Sequence, residues 1–384
     1  MRAAWWCTAL IMSVAAAFFL ACGDAHTQGV TSDARAESCA SCHTTQADAW
    51  SGSRHAKSQG SPVFQALLPK VAAAWGDAAR VRCVSCHSPK HGGDEGIGCV
   101  SCHAASGNAG EGDGKLLVDL TAPVSGPFDD ATATPAHGSR RYDLLESPVL
   151  CGTCHQVTGP GLLNEPTLTE FRASPAAADG RTCASCHMPA IAPGPIATGD
   201  ATLRLRARVN HGFVGVDPPW DAPPDVRAQA AKDSVALLAS ALIMAATASA
   251  DHGLDVTLTN DAGHAVPTGV TFLRRIWADV IFADAAGKQV TISAVITLGA
   301  IATQGGAPVA LFTDADAVTS NVLAPAASVS VHVPPPDAMP APVSATVRLH
   351  ARAIEEDTLA ALGLSALANQ VPTHDIGTAR VALR

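Results

Sequence analysis

One five-residue pattern recurs five times in the 384-residue chain: CASCH at 39–43, CVSCH at 83–87, CVSCH at 99–103, CGTCH at 151–155 and CASCH at 183–187. Ten of the twelve cysteines fall in these pairs. The other two, Cys7 and Cys22, lie in an apolar N-terminal segment, and none follows Cys186. A secreted disulfide scaffold rarely orders its cysteines this way. With 15 histidines in the chain, five coincidental histidines after five pairs have odds of roughly one in ten million, so the pattern is chemistry rather than composition. A zinc site would take the motifs two at a time, and five is odd. A redox dithiol comes singly, at the start of a helix in a βαβ unit. Cys-x-x-Cys-His is the c-type haem attachment motif.

The spacing has a physical reason. Two thiols on one turn reach the two vinyl groups of one haem, and the adjacent histidine lies under the iron as its proximal ligand. Five covalently bound haem c groups are therefore expected, on Cys39 and Cys42, Cys83 and Cys86, Cys99 and Cys102, Cys151 and Cys154, and Cys183 and Cys186. The proximal ligands are His43, His87, His103, His155 and His187. No Cys-x-x-Cys-Lys variant occurs.

Ten histidines remain for the opposite faces of the irons. Methionine would raise the potential, but Met1 and Met12 lie in the N-terminal segment and Met188 adjoins a motif. Met244 and Met339 lie in the second half, so histidine is the better distal ligand. His55 lies in WSGSRHAKS, read as helical. His91 follows His87 by four residues, so it would have to serve a different haem. His137 in TPAHGS, His211 in VNHGFVG and His264 in DAGHAVPTG sit in Gly-rich turns, where the backbone can approach a flat ring. The candidate distal set is thus His55, His91, His137, His211 and His264. His332 and His350 lie in alternating segments and read as exposed strand residues. His26 is in a tether, His252 in a hairpin-like DHG, and His374 is held in reserve.

The N-terminus opens with Arg2 and an apolar run from Ala3 to Ala21, a secretory signal pattern. FLAC at 19–22 resembles a lipoprotein cleavage box with Cys22 as the lipidated residue, although Phe19 stands where leucine is usual. An ordinary cleaved signal and an uncleaved single-pass anchor are the alternatives. All three export the rest of the chain, to the periplasm or cell surface of a Gram-negative-type bacterium.

The texture of the chain divides it: a signal over 1–22, a tether over 23–35, a pentahaem domain over 36–215, a Pro-rich hinge and helix over 216–232, and a β-sandwich-like domain over 233–384. The expected class is α+β. Between the motifs lie many Gly, Pro and Ala residues and short helical patches such as SPVFQALLPKVAAAWG. Side chains alone make a poor core there, so this half needs its macrocycles to fold. Beyond DPPWDAPPD (217–225), a helical segment passes into period-two alternation: LDVTLTN, TFLRRIWADVIFA, KQVTISAVITL, ASVSVHV and VSATVRLHAR. EEDTLAALGL reads as a helix with an acidic first turn, and 376–383 as a last strand.

The first half resembles the multihaem cytochrome c family that includes the tetrahaem electron acceptor of hydroxylamine oxidoreductase. The carrying residues are CASCHTTQADAWSGSRHAKS, GIGCVSCHAA, CGTCH and TLTEFRASPAAADGRTCASCHMP. The resemblance implies that the histidine of W-x-x-S-x-H, here His55, is a distal ligand. The second half looks like the β-domain appended to some members, in which N-x-x-x-H-x-x-P-T-G recurs. Here that is Asn260, His264, Pro267, Thr268 and Gly269, and the resemblance implies that His264 reaches a haem. Five motifs stand where the tetrahaem members have four, so ligand pairings do not transfer.

The expected function is electron transfer along mostly bis-His haems. The motifs at 83 and 99 are close enough in sequence to suggest neighbouring haems. A formal charge of −9 argues against a nucleic-acid partner and favours a basic redox protein such as a cytochrome, or a quinol-linked complex. Two rivals stay open. One is an oxidoreductase with one open haem acting on a small nitrogen compound, for which the sole tyrosine, Tyr142, is the only possible cross-linking residue. The other is a surface assembly component that self-associates through the β-domain.

Overall fold

The computed structural model describes residues 28–31, 34–89, 95–131, 133–198, 204–215, 219–220 and 222–383. The signal, Cys22, part of the hinge and His91 lie outside the described residues. No described helix is long and apolar enough to cross a membrane.

The second half is a two-sheet antiparallel sandwich. A smaller sheet orders Ser328–Val333, Leu254–Asn260 and Leu242–Ala248 side by side. The larger orders Ala307–Pro308, Gln289–Gln304, Arg275–Ala283, Ser344–Arg352 and Thr373–Ala382, with Ala317–Asn321 also on Gln289–Gln304. Alternation decides which face is which. Leu254, Val256 and Leu258 are buried while Asp255, Thr257 and Thr259 point outward. Along Arg275–Ala283 every second residue is buried: Ile276, Ala278, Val280 and Phe282. These inner faces, with Val347, Leu349 and Ile376, form one continuous core. The helix Pro224–Ala241 starts with proline at its first turn and gives way at once to the strand Leu242–Ala248, as the change of periodicity predicts.

The first half holds short helices, two-stranded ribbons and long turns. Its helix Pro62–Trp75 matches the expected patch. Its apolar clusters are small: Ala34, Val100 and Ala104 make one. Others are shared with the second half, where Val63 packs with Trp220, Leu359, Leu362 and Val371, and Val71 with Phe312. The helix Glu356–Ala361 supplies Leu359 to that contact. The two halves are therefore joined by an apolar seam as well as by the turn that carries His264.

Two expectations differ from the structure. His55 does not lie on a helix: Thr44–Ser51 ends at Gly52, and turns follow. The Ser53 hydroxyl takes the Ala56 N–H at 3.1 Å, satisfying locally a donor that a helix would have used. His350 is not an exposed strand residue. It stacks on Trp277 at 5.2 Å and lies between Asp279 at 3.4 Å and Asp375 at 2.6 Å. His332 does sit on the exposed face, paired with Asp255 and Asp251.

Candidate functional site: five histidine-tailed turns and their partners

Each Cys-x-x-Cys-His stretch is wound into a helical turn. The His43 and His155 amides each donate to the carbonyl of the first cysteine of their motif, Cys39 and Cys151, at 2.9 Å. Cys99–His103 and Cys183–His187 are short helices, and His87 ends the helix Asp77–His87. Residues i, i+3 and i+4 share one face of such a turn, so both thiols and the imidazole point the same way. Local capping fixes two of the turns. Thr182 and Ser185 cap each other's backbone amides, and Ser147 accepts from Val149.

The orientation of each motif imidazole is set through Nδ1. His43 donates to the Ile196 carbonyl at 3.0 Å, His87 to Ser58 at 3.2 Å, His103 to Ser125 at 2.8 Å and His187 to Val214 at 2.6 Å. His155 donates instead to a carboxylate, Glu165, at 2.8 Å. With Nδ1 carrying the proton, Nε2 keeps its lone pair free for a metal. Burial works the same way: it lowers the pKa of His87, His103 and His187, favouring the neutral imidazole. At His155 burial is outweighed by Glu165, and the pKa is raised.

Four of the five imidazoles face a second one from a distant segment. Ring centres are 6.2 Å apart for His43 and His137, 6.4 Å for His103 and His211, 6.1 Å for His187 and His264, and 6.4 Å for His55 and His155. The planes are inclined by 24°, 19°, 17° and 43° respectively. Two imidazoles held on opposite sides of one metal would sit about 6.2 Å apart, from metal–nitrogen bonds of about 2.0 Å each and roughly 1.1 Å from ring centre to nitrogen. The spacing is too wide for ring stacking and suits one iron between each pair. Three of the partners also direct Nδ1 to a carbonyl: His137 to Gly138 at 2.9 Å, His211 to Val209 at 3.1 Å and His264 to Ala265 at 2.9 Å.

His87 stands apart. Its ring lies flat on Phe64 at 3.7 Å, and among the described residues no imidazole faces it at the spacing of the other four.

The turns that carry His55 and His264 are closely held. At His55, the Trp50 indole donates to the Ile97 carbonyl at 2.8 Å, and the Ile97 amide donates to the His55 carbonyl at 2.9 Å. Gly96 passes so close that a Cβ there would meet the His55 carbonyl oxygen at 2.4 Å. The W-x-x-S-x-H stretch and the GIG before the third motif are thus two sides of one clasp. Phe213 packs on both His55 and His211. The His55 pKa falls to about 3, first through burial and then through His155, His187 and His87.

At His264, fully buried Asn260 donates to the carbonyls of His264 at 2.9 Å and Leu323 at 2.7 Å, and accepts from Ala262 at 2.8 Å. Glu170, from the first half, accepts from the Ala265 amide at 3.0 Å and the Thr268 hydroxyl at 3.1 Å. Gly263 leaves room for Phe171, which a Cβ would approach to 2.9 Å. Sequence reasoning singled out the turn but not Glu170 or Glu165; both lie in or beside TLTEFRASP, where nothing marks a carboxylate as structural.

The motifs also meet one another. The Cys99 thiol is within hydrogen-bonding reach of Cys39, Cys86 of Cys154, and Cys183 of Cys151. Cys102 lies near Cys151 and Cys154. The motif at 99–103 thus neighbours 39–43 through Cys99, and the motif at 83–87 neighbours 151–155 through Cys86. The fourth motif becomes the junction.

No protein-family model matches the chain, and no curated protein matches it. Among solved structures, the fold is that of a penta-heme cytochrome c552 from Thermochromatium tepidum. The TM-score is 0.66 at 18% identity, over 92% of this chain and 99% of that one. The likeness spans the haem-motif half and the sandwich together.

Proposed function

We propose that the chain is an exported pentahaem c-type cytochrome that passes electrons between redox partners. The observation that carries this reading is the set of four imidazole pairs at 6.1–6.4 Å, each built from one motif histidine and one distant histidine. The cysteine pairs would hold five haems through thioethers. His43 with His137, His103 with His211, His155 with His55 and His187 with His264 would ligate four of the irons. Haem supplies one-electron chemistry at iron; the chain supplies the ligands, their tautomers and a dry surround. The thiol contacts would bring the macrocycles into close succession, 39–43 beside 99–103, then 151–155, then 183–187, with 83–87 attached at the fourth. The fold of the penta-heme cytochrome c552 supports the same reading. Acidic charge, increased by haem propionates, favours a basic redox protein as partner. Export, with Cys22 as lipid anchor, rests on the N-terminal pattern alone.

The test is the purified full-length protein. Its mass should exceed that of its processed polypeptide by five haems, and its oxidised spectrum should be dominated by low-spin iron. A mass without covalent haem, or a spectrum with mainly high-spin iron, overturns the proposal.

A second reading has its own observation. Among the described residues no imidazole faces His87, and Phe64 lies flat on its ring, which favours the haem on Cys83 and Cys86 as a place where a small nitrogen compound could bind iron. Carbon monoxide added to the reduced protein tests it. Binding at one haem supports this reading; none would leave that iron closed, as it would be if His91 served it.

A further inference from the structure

The five motif histidines are not equivalent. Four direct Nδ1 to a main-chain carbonyl, a neutral acceptor. His155 alone directs it to a carboxylate, Glu165 Oε1, at 2.8 Å. The Glu165 side chain is only 13% exposed. The pairing of Val157–Thr158 with Asn164–Glu165 holds it in place. On its other side lies the β-domain: Gly269 is near enough that a Cβ would sit 3.6 Å from Oε1, and Arg274 contributes an opposing charge.

A carboxylate that accepts the Nδ1 proton makes an imidazole a stronger electron donor to its metal. A fixed negative charge in a poorly solvated site also favours the more positive oxidation state of a nearby iron. Both effects stabilise ferric over ferrous iron, and both act at one motif only. That motif is the junction, since Cys154 meets Cys86 and Cys151 meets Cys183.

We propose that Glu165 is a redox-tuning residue that makes the haem on Cys151 and Cys154 the lowest-potential of the four paired haems. The inference rests on the pentahaem reading above. With haem bound, Glu165 would bias a one-electron exchange in which one iron is oxidised as its neighbour is reduced, with no bond made or broken. A low-potential centre at the junction would be an uphill step. It keeps electrons on the branches until a donor or acceptor draws them across.

The experiment is an EPR-monitored redox titration of the full-length holoprotein and its Glu165→Gln form. Glutamine keeps an acceptor for Nδ1–H and removes the charge. At a fixed potential, the ratio of reduced to oxidised iron at one haem should rise about tenfold, a shift of about 59 mV for one electron. Haem content and low-spin count should stay unchanged. That haem is recognisable because His55 and His155 are inclined by 43°, more than the other pairs, which gives it a distinct low-spin signal. Glu165→Asp should restore much of the wild-type potential. Arg274→Gln leaves the hydrogen bond intact, removes the opposing cation and should move the same haem in the other direction. Titrations that superimpose on wild type, or a shift confined to another haem, overturn the proposal while leaving the pentahaem reading standing. Wild-type protein without covalent low-spin haem would sink that reading itself, whatever Glu165 does.

Discussion

At the scale of single residues, the account turns on a few imidazoles and the groups that aim them. His264→Ala should convert one haem from low-spin to high-spin, read directly in the EPR of the oxidised protein. Glu170→Ala acts one step back. It removes the acceptor for Ala265 and Thr268, hydrogen bonds to a charged group worth roughly 1.5–3 kcal/mol. The same haem should show a partial high-spin fraction with its attachment intact; an unchanged spectrum would mean that Asn260 alone sets the turn. The five motifs are legible in the sequence as a local pattern, and the structure winds each into a helical turn. His55, His137, His211 and His264 were legible as candidates, but which motif each faces was not. Those pairings cross between 77 and 108 positions of chain, from His187 with His264 to His103 with His211, and no local pattern encodes them. Glu165 and Glu170 left no signal at all, since an acid near a helix start reads as an ordinary surface residue.

At the scale of elements, the sandwich was the readable part. Strict alternation along Arg275–Ala283 and Leu254–Asn260 is what a sheet buried on one face requires. The helix-to-strand change near residue 241 showed as a change of period. The His55 segment misled because its composition suits a helix, whereas Gly52 and the Ser53 side chain end one. In the sandwich, Phe282 is fully buried between the sheets. Phe282→Ala should cost about 3–5 kcal/mol. Chemical denaturation followed at a β-domain probe would show this as a lower midpoint, while the haem bands keep their wild-type positions until that transition. A change below about 1 kcal/mol would mean that the sheets close over the gap.

At the scale of the whole molecule, the two halves are cored differently. The sandwich has one continuous apolar core; the first half has small clusters and the ten motif cysteines. Chain made without haem attachment should therefore be cut rapidly by protease between residues 36 and 215, while the β-domain survives as a resistant fragment. Equal resistance in both halves would show that the first half has a side-chain core of its own. In the haem-loaded protein both halves should resist together, because the proposed His264–iron bond and the Val63–Leu359 seam would tie them.

The most direct test is low-temperature EPR of the oxidised full-length protein, integrated against its haem content. Five haems per chain are expected, with low-spin iron in at least four. Three of those signals should be alike, from imidazole planes inclined by 17–24°, and one should differ, from the pair at 43°. High-spin iron at two or more haems would contradict this, because at least one imidazole pair would then not be closed on an iron.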